Sequence, residues 1–129
     1  MDQPTLLLVD AANVVGSVPD GWWRDREGAA RRLRDALVGV ADDGLPTADL
    51  TGAVEVVLVV EGAARDVPSV PGVRVVSAAG SGDDAIVELV RAAPQPVVVV
   101  TADRGLRERV TSLGARVVGP RAVPRRRAR

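Results

Sequence analysis

Three short apolar runs of this 129-residue chain each lead into an acid. Thr5-Leu6-Leu7-Leu8-Val9 runs into Asp10, Val54 to Val60 runs into Glu61, and Val97-Val98-Val99-Val100 passes through Thr101 to Asp103. A fourth acidic feature, the pair Asp83-Asp84, opens a helical pattern. Carboxylates gathered on one edge repel one another unless a cation holds them, and ligation by oxygen alone selects Mg²⁺ or Mn²⁺. Each acid also has a plainer use. Asp103 ahead of Arg104-Gly105-Leu106 is a competent helix N-cap, Asp83 or Asp84 could cap its helix or complement its dipole, and Asp10 could cap a turn. Capping does not account for Asp10 and Glu61, which stand at strand ends with no helix expected directly after them. It is the set, more than any member, that points to an ion site.

Composition narrows the chemistry further. The chain has no His, Cys, Tyr or Phe, and all 17 of its basic residues are Arg. Without Cys or His there is no thiolate nucleophile, imidazole base, structural zinc site or Ser-His-Asp triad, and disulfides are impossible. Without Lys there is no Schiff base, no complete phosphate-binding loop of the Gly-Lys-Ser/Thr type and no Ser-Lys dyad. A response-regulator receiver also places acids at strand ends, but it needs a Lys. Arg cannot act as a base at neutral pH. Acid–base or metal chemistry therefore falls to the 17 carboxylates.

The elements that must position these acids follow from periodicity. Continuously apolar stretches of four or five residues suit parallel strands buried on both faces, and Val73-Arg74-Val75-Val76 and Arg116-Val117-Val118 read as edge strands. Ala29/Ala30, Leu33, Ala36/Leu37 and Val40/Ala41 recur at helical spacing and predict an amphipathic helix over residues 25–42. Ile86, Leu89/Val90 and Ala93 mark a second helix stopped by Pro94. Leu106, Val110 and Leu113 mark a third, closed by Gly114 where a left-handed cap is wanted. The segments 42–52 and 62–72 read as a polar loop and an irregular connection. Strands alternating with helices give a doubly wound α/β sheet, which binds ligands at the carboxyl ends of its strands.

Three segments carry a family resemblance: Asp10-Ala11-Ala12-Asn13-Val14-Val15-Gly16 after a Leu/Val strand, Gly80-Ser81-Gly82-Asp83-Asp84-Ala85-Ile86 opening a helix, and Val100-Thr101-Ala102-Asp103-Arg104 followed by Leu113-Gly114-Ala115-Arg116-Val117-Val118. In this order they resemble the NYN domains of the PIN-like nuclease superfamily, and among them the YacP-like branch. The resemblance implies a single PIN-like, Rossmann-like domain over residues 1–119, with a five-stranded parallel sheet of order 3-2-1-4-5 and helices on both faces. It also implies a metal-dependent ribonuclease centre. Asp10 would be the first metal ligand, Asn13 its polar neighbour, Asp83 the second acid and Asp103 the third, with Thr101 as the small hydroxyl residue ahead of it. Glu61 and Asp84 are further candidate ligands. The chain departs from the pattern in having Ala11-Ala12 where relatives often carry Gly-Tyr or another bulky pair, and Glu61-Gly62 where many carry Asp-Gly.

The remaining signals concern a substrate. Asp20-Gly21-Trp22-Trp23-Arg24-Asp25-Arg26 holds both aromatic residues of the chain. Either Trp could stack a base, with Arg24, Arg26 or Arg104 holding phosphate. In a chain without Phe or Tyr, though, the first expectation for both Trp is packing at the helix entry. Charge is uneven: residues 1–120 hold all 17 acids against 12 Arg, and residues 121–129 hold five Arg. Residues 120–129 thus read as a disordered basic tail, either holding RNA electrostatically or simply solvated with no specific role. No apolar run approaches the roughly 18 residues of a membrane span, and Met1-Asp2-Gln3-Pro4 lacks the basic start of a secretory signal, so a cytoplasmic protein is expected. The sequence reading is a Mg²⁺- or Mn²⁺-dependent phosphodiesterase with RNA as substrate and no membrane partner, a homodimer being left open. Its rivals are a nucleoside triphosphate pyrophosphohydrolase using the same carboxylates and a non-catalytic binding module on the same scaffold.

Overall fold

The computed structural model of the chain describes residues 3–18 and 20–124. Five strands, β1 (Leu6–Asp10), β2 (Glu55–Val60), β3 (Arg74–Ser77), β4 (Val97–Val100) and β5 (Arg116–Val118), form a parallel sheet in the order β3-β2-β1-β4-β5. This is the expected 3-2-1-4-5 order. The chain winds outward from β1 in one direction and then in the other, so the carboxyl end of β1 lies at the switch point where such sheets bind ligands.

Alternation along the strands splits the core in two. Leu7, Val9, Val56, Leu58, Val60, Val98 and Val100 pack on one face against Val14 of α1 (Ala11–Gly16), Ala30 and Leu33 of α2 (Arg26–Ala36) and Val40 of α3 (Val40–Asp43). Leu6, Leu8, Val57, Val59, Val97 and Val99 pack on the other against Ile86, Val87 and Val90 of α4 (Gly82–Ala92) and Leu106 and Val110 of α5 (Arg104–Thr111). Residues 10, 61 and 101 continue the second set, which assigns Asp10, Glu61 and Thr101 to the α4/α5 side of the strand ends.

The boundaries differ from the sequence reading in three places. The helix expected over 25–42 ends at Ala36, turns through Leu37–Gly39 and resumes as α3, because Val38 and Gly39 are both poor helix formers. The loop expected over 42–52 is drawn together by a short antiparallel ladder, Gly44–Leu45 with Leu50–Thr51. The folded body also continues past residue 119. Pro120–Ala122 forms a 3₁₀ turn, Pro120 and Val123 are buried, and the Thr47 hydroxyl donates to the Ala122 carbonyl. The apolar Val123 outweighs the basic composition around it. Arg125, Arg126, Arg127 and Arg129 of the expected tail lie outside the described residues.

Gly44 gives this connection a sensitive point. Its φ is +75°, and a Cβ placed there would stand 2.5 Å from the Leu50 carbonyl oxygen and 2.6 Å from that of Gly52. Both obstacles are backbone and cannot swing aside. Gly44→Ala is therefore expected to destabilise the fold by roughly 2 kcal/mol or more, read as a lower denaturant midpoint. An unchanged midpoint would mean that the ladder is dispensable. Among the described residues, no helix is long and apolar enough to cross a membrane.

Candidate active site

Asp10 is the last residue of the central strand and is 4% exposed. The Thr101 hydroxyl donates to its Oδ2 at 2.9 Å, and the Asn13 backbone N–H donates to its Oδ1 at a long 3.4 Å. The second bond corrects an expectation: α1 begins directly after Asp10, which caps it. This helix escaped the sequence reading because it is only six residues long and contains Asn13, Val14 and Val15, which have weak helix propensity. Gly62–Ala64 likewise forms a 3₁₀ turn directly after Glu61, without a side-chain cap. Capping thus explains part of what Asp10 does, through one long bond to one oxygen.

The β1–α1 corner is tied to the β4–α5 corner by further bonds. The Asn13 side-chain oxygen accepts from the Ala102 N–H at 2.8 Å, and Thr101 Oγ1, while donating to Asp10, accepts from the Asp103 N–H at 3.1 Å. Asp103 is exposed and caps α5, its Oδ1 accepting from the Leu106 N–H at 2.8 Å. Asn13 and Thr101 therefore hold the loop that carries Asp103 at a fixed height above Asp10.

Asp83 and Asp84 part company in the first turn of α4. Ser81 caps that helix by accepting from the Asp84 N–H at 3.2 Å. Asp84 is exposed and pairs with Arg109 of α5 at 3.0 Å, a partner 25 residues away that only the packing of α4 beside α5 reveals. Asp83 is less exposed and begins the side of the helix that continues through Ile86, Val87 and Val90 into the core. Glu61 reaches across to this helix start: a Cβ on Gly82 would stand 2.9 Å from its Oε1. Gly82 is thus the residue that admits Glu61, a role sequence reasoning missed although Gly80-Ser81-Gly82 was on view.

The electrostatics bind these acids into one cluster. Burial pushes the Asp10 carboxyl up from its ordinary 3.8 to about 6. The Thr101 and Asn13 bonds restrain the rise, and the charges of Asp83 and Glu61 add to it. Asp83 is also raised, first by burial and then by Asp103 and Glu61, with Arg109 acting the other way and Asp84 adding a little. The donors are carboxylate and hydroxyl oxygens, which suit a hard divalent cation, and the crowding of like charge is what such a cation relieves. Among the described residues, no three acids are closed together as a ready coordination shell.

The residues expected to bind substrate lie at the entry to α2 and at the start of α5. Trp22–Arg24 is a 3₁₀ turn leading into α2, which Asp25 caps. The packing role expected of both Trp holds for neither in full: Trp22 is half-buried and Trp23 is 52% exposed. Instead each indole carries an Arg, with Arg26 at 5.3 Å from the Trp22 ring centre and Arg24 at 6.0 Å from that of Trp23. Arg104 is the exposed first residue of α5 and shares a shallow depression with Arg107.

No family model matches the sequence, and none of the curated proteins matches it. Among solved structures it is similar to the crystal structure of Rae1 (YacP) from Bacillus subtilis, determined as a W164L mutant. The two superpose with a TM-score of 0.63 over 95% of this chain and 72% of that one, at 19% sequence identity. The fold is YacP-like. At this identity the likeness speaks for the architecture of a YacP-like domain, and the chemistry of its edge must be argued from the side chains above.

Proposed function

We propose that this chain is a divalent-cation-dependent phosphodiesterase that hydrolyses RNA at the carboxyl edge of its sheet. The observation that carries this reading is Asp10: a carboxylate buried at the switch point, fixed by Thr101 and crowded by Asp83 and Glu61. Such an arrangement costs stability, and neither the long cap bond nor the bond from Thr101 calls for a charged group there, which points to work at the edge. The YacP-like fold and the motif resemblance lead to the same class of reaction.

Asp10, Asp83 and Asp103 would hold the cation, with Glu61 as a fourth oxygen donor. When bound, a Mg²⁺ or Mn²⁺ ion supplies a water of lowered pKa and offsets charge on the phosphate. The residues of the chain do the rest. Thr101 and Asn13 fix the two corners so that the acids keep their spacing. Asp83 lies half-buried beside the charges of Asp103 and Glu61, a crowding that a bound cation would relieve, so its part is to hold the ion rather than to move the proton. Asp84 stays outside, neutralised by Arg109. Arg104 and Arg107, exposed at the start of α5, face the phosphates of an incoming strand.

Single-stranded RNA incubated with the protein should be cut in Mg²⁺ or Mn²⁺ and stay intact in excess EDTA, since acid–base chemistry here has only carboxylates to draw on. Cleavage that persists in EDTA would overturn the metal reading. Release of pyrophosphate from nucleoside triphosphates, with RNA left whole, would favour the pyrophosphohydrolase. A second reading, a non-catalytic binding module, draws on the absence of three closed-up acids among the described residues. It predicts RNA bound and recovered whole in every metal.

A further inference from the structure

A cavity of about 210 Å³ opens at the strand ends on the side of α1 and α2. Ala11, Ala12, Ala30 and Ala64 line it together with Trp22 and Arg26, and Glu61 of the carboxylate cluster is also in its lining. Its apolar character comes from alanines, side chains too short to fill the space between α1, α2 and the 62–64 turn. The volume lies below the roughly 300–1,000 Å³ of sites for drug-sized ligands, which suits one flat ring system. Trp22 presents a large aromatic surface there, held in place by the Arg26 guanidinium 5.3 Å from its ring centre and by an edge-on contact with Trp23 at 6.0 Å between centroids. An aromatic and an Arg together at a half-apolar pocket recognise the π-face of a base, whatever its hydrogen-bonding edge.

The topology relates this pocket to the acids. Asp10 and Glu61 follow the strand alternation toward α4 and α5, while Ala11, Ala12 and Gly62 start the segments on the other side. The sheet edge is therefore a ridge with carboxylates on one flank and the alanine-lined cavity on the other, and Glu61 is common to both. We infer that the cavity receives one unpaired nucleobase of a single-stranded RNA, the base adjoining the phosphate that lies over the acids. A base must leave its stack and its partner to enter, so the pocket selects single strands over duplex. This inference rests on the reading of the acidic edge as the seat of a phosphodiester, and it names the register in which the strand is held.

The test is a binding measurement in EDTA, so that it depends on neither a metal nor turnover. Trp22 and Trp23 are the chain's only aromatic residues, and Trp23→Leu leaves Trp22 as the sole fluorophore. Titration of this variant with a single-stranded RNA hexamer should quench Trp22 saturably. An abasic ribose-phosphate hexamer, the same hexamer in a duplex, and a mononucleotide should each bind roughly tenfold more weakly or worse. The abasic arm carries the same charge, so the difference isolates the base. Ala64→Leu, which fills the cavity from the half-buried last residue of the 62–64 turn, should remove that difference in protein whose melting temperature stays near that of the parent. Equal binding of abasic and base-bearing strands by the wild-type protein, or no saturable quenching in folded Trp23→Leu, would overturn the inference. Equal binding of the mononucleotide would replace the strand with a free nucleotide as occupant. A protein that shows base-dependent binding yet never cuts RNA would keep the pocket and lose the hydrolase; one that cuts RNA but ignores the base would do the reverse.

Discussion

Asp83→Asn is expected to lose metal-dependent RNA cleavage by about a hundredfold or more, while Asp84→Asn keeps most of it. Even outer partners of metal ligands commonly cost ~10–100-fold when removed, so a direct ligand should cost at least as much. The two residues are adjacent, carry the same charge and sit in the same helical turn, which makes the pair its own control for general electrostatics. What separates them is placement: Asp84 is exposed and paired with Arg109 at 3.0 Å, whereas Asp83 feels the charges of Asp103 and Glu61. Loss of the Asp84–Arg109 pair should cost only about 0.2–1 kcal/mol of stability, as exposed ion pairs do. Rates measured on equally folded proteins decide the matter, and the reverse ranking would assign the wrong acid to the site.

Without divalent cations, the fold should lose stability as pH rises from about 4 to about 6. The sign follows from Asp10, whose folded pKa of about 6 exceeds the ordinary 3.8, so that between those values the folded chain binds more protons than the unfolded one. Stability then falls with pH and levels off above about 6. A shift of this size corresponds to at most about 3 kcal/mol, and the raised Asp83 acts in the same direction. Asp10→Asn should flatten the curve and raise the melting temperature at pH 7 in chelator, since the amide keeps the size and removes the desolvated charge. Added Mg²⁺ should stabilise the wild type above pH 6 by selecting the ionised acids and leave the variant unmoved. Denaturant melts at several pH values, with EDTA and with Mg²⁺, check this. A wild-type curve that rises from pH 4 to 7 in EDTA would contradict the placement of Asp10.

Much of this arrangement was legible in the sequence because it depends on strand ends. Apolar runs that are buried on both faces announce parallel strands, and the acid that ends each run must stand at the carboxyl edge wherever the strand falls in the sheet. What stayed hidden depends on contacts between distant segments or on very short elements. The α1 helix was lost in weak local propensity, and with it the capping role of Asp10. The bond from Thr101 to Asp10 spans 91 positions, and the Asp84–Arg109 pair exists only because α4 and α5 lie side by side. The two Trp residues were expected to serve packing, since nothing else aromatic was present to do so, yet aliphatic side chains of sheet and helices fill both cores and leave Trp22 half-buried and Trp23 exposed. Arg34 is another such case: buried in α2, its guanidinium donates to the Pro68 carbonyl at 2.9 Å and pins the 62–72 connection, a contact 34 positions away.

The central claim is that Asp10 and Asp83 share a divalent cation at the sheet edge, and calorimetric titration with Mn²⁺ reads it without any substrate. The wild-type protein and Asp84→Asn should bind Mn²⁺ with similar affinity near pH 7.5, and Asp10→Asn and Asp83→Asn should each weaken binding by about tenfold or more. Unchanged Mn²⁺ affinity in both Asp10→Asn and Asp83→Asn, in folded protein, would contradict it.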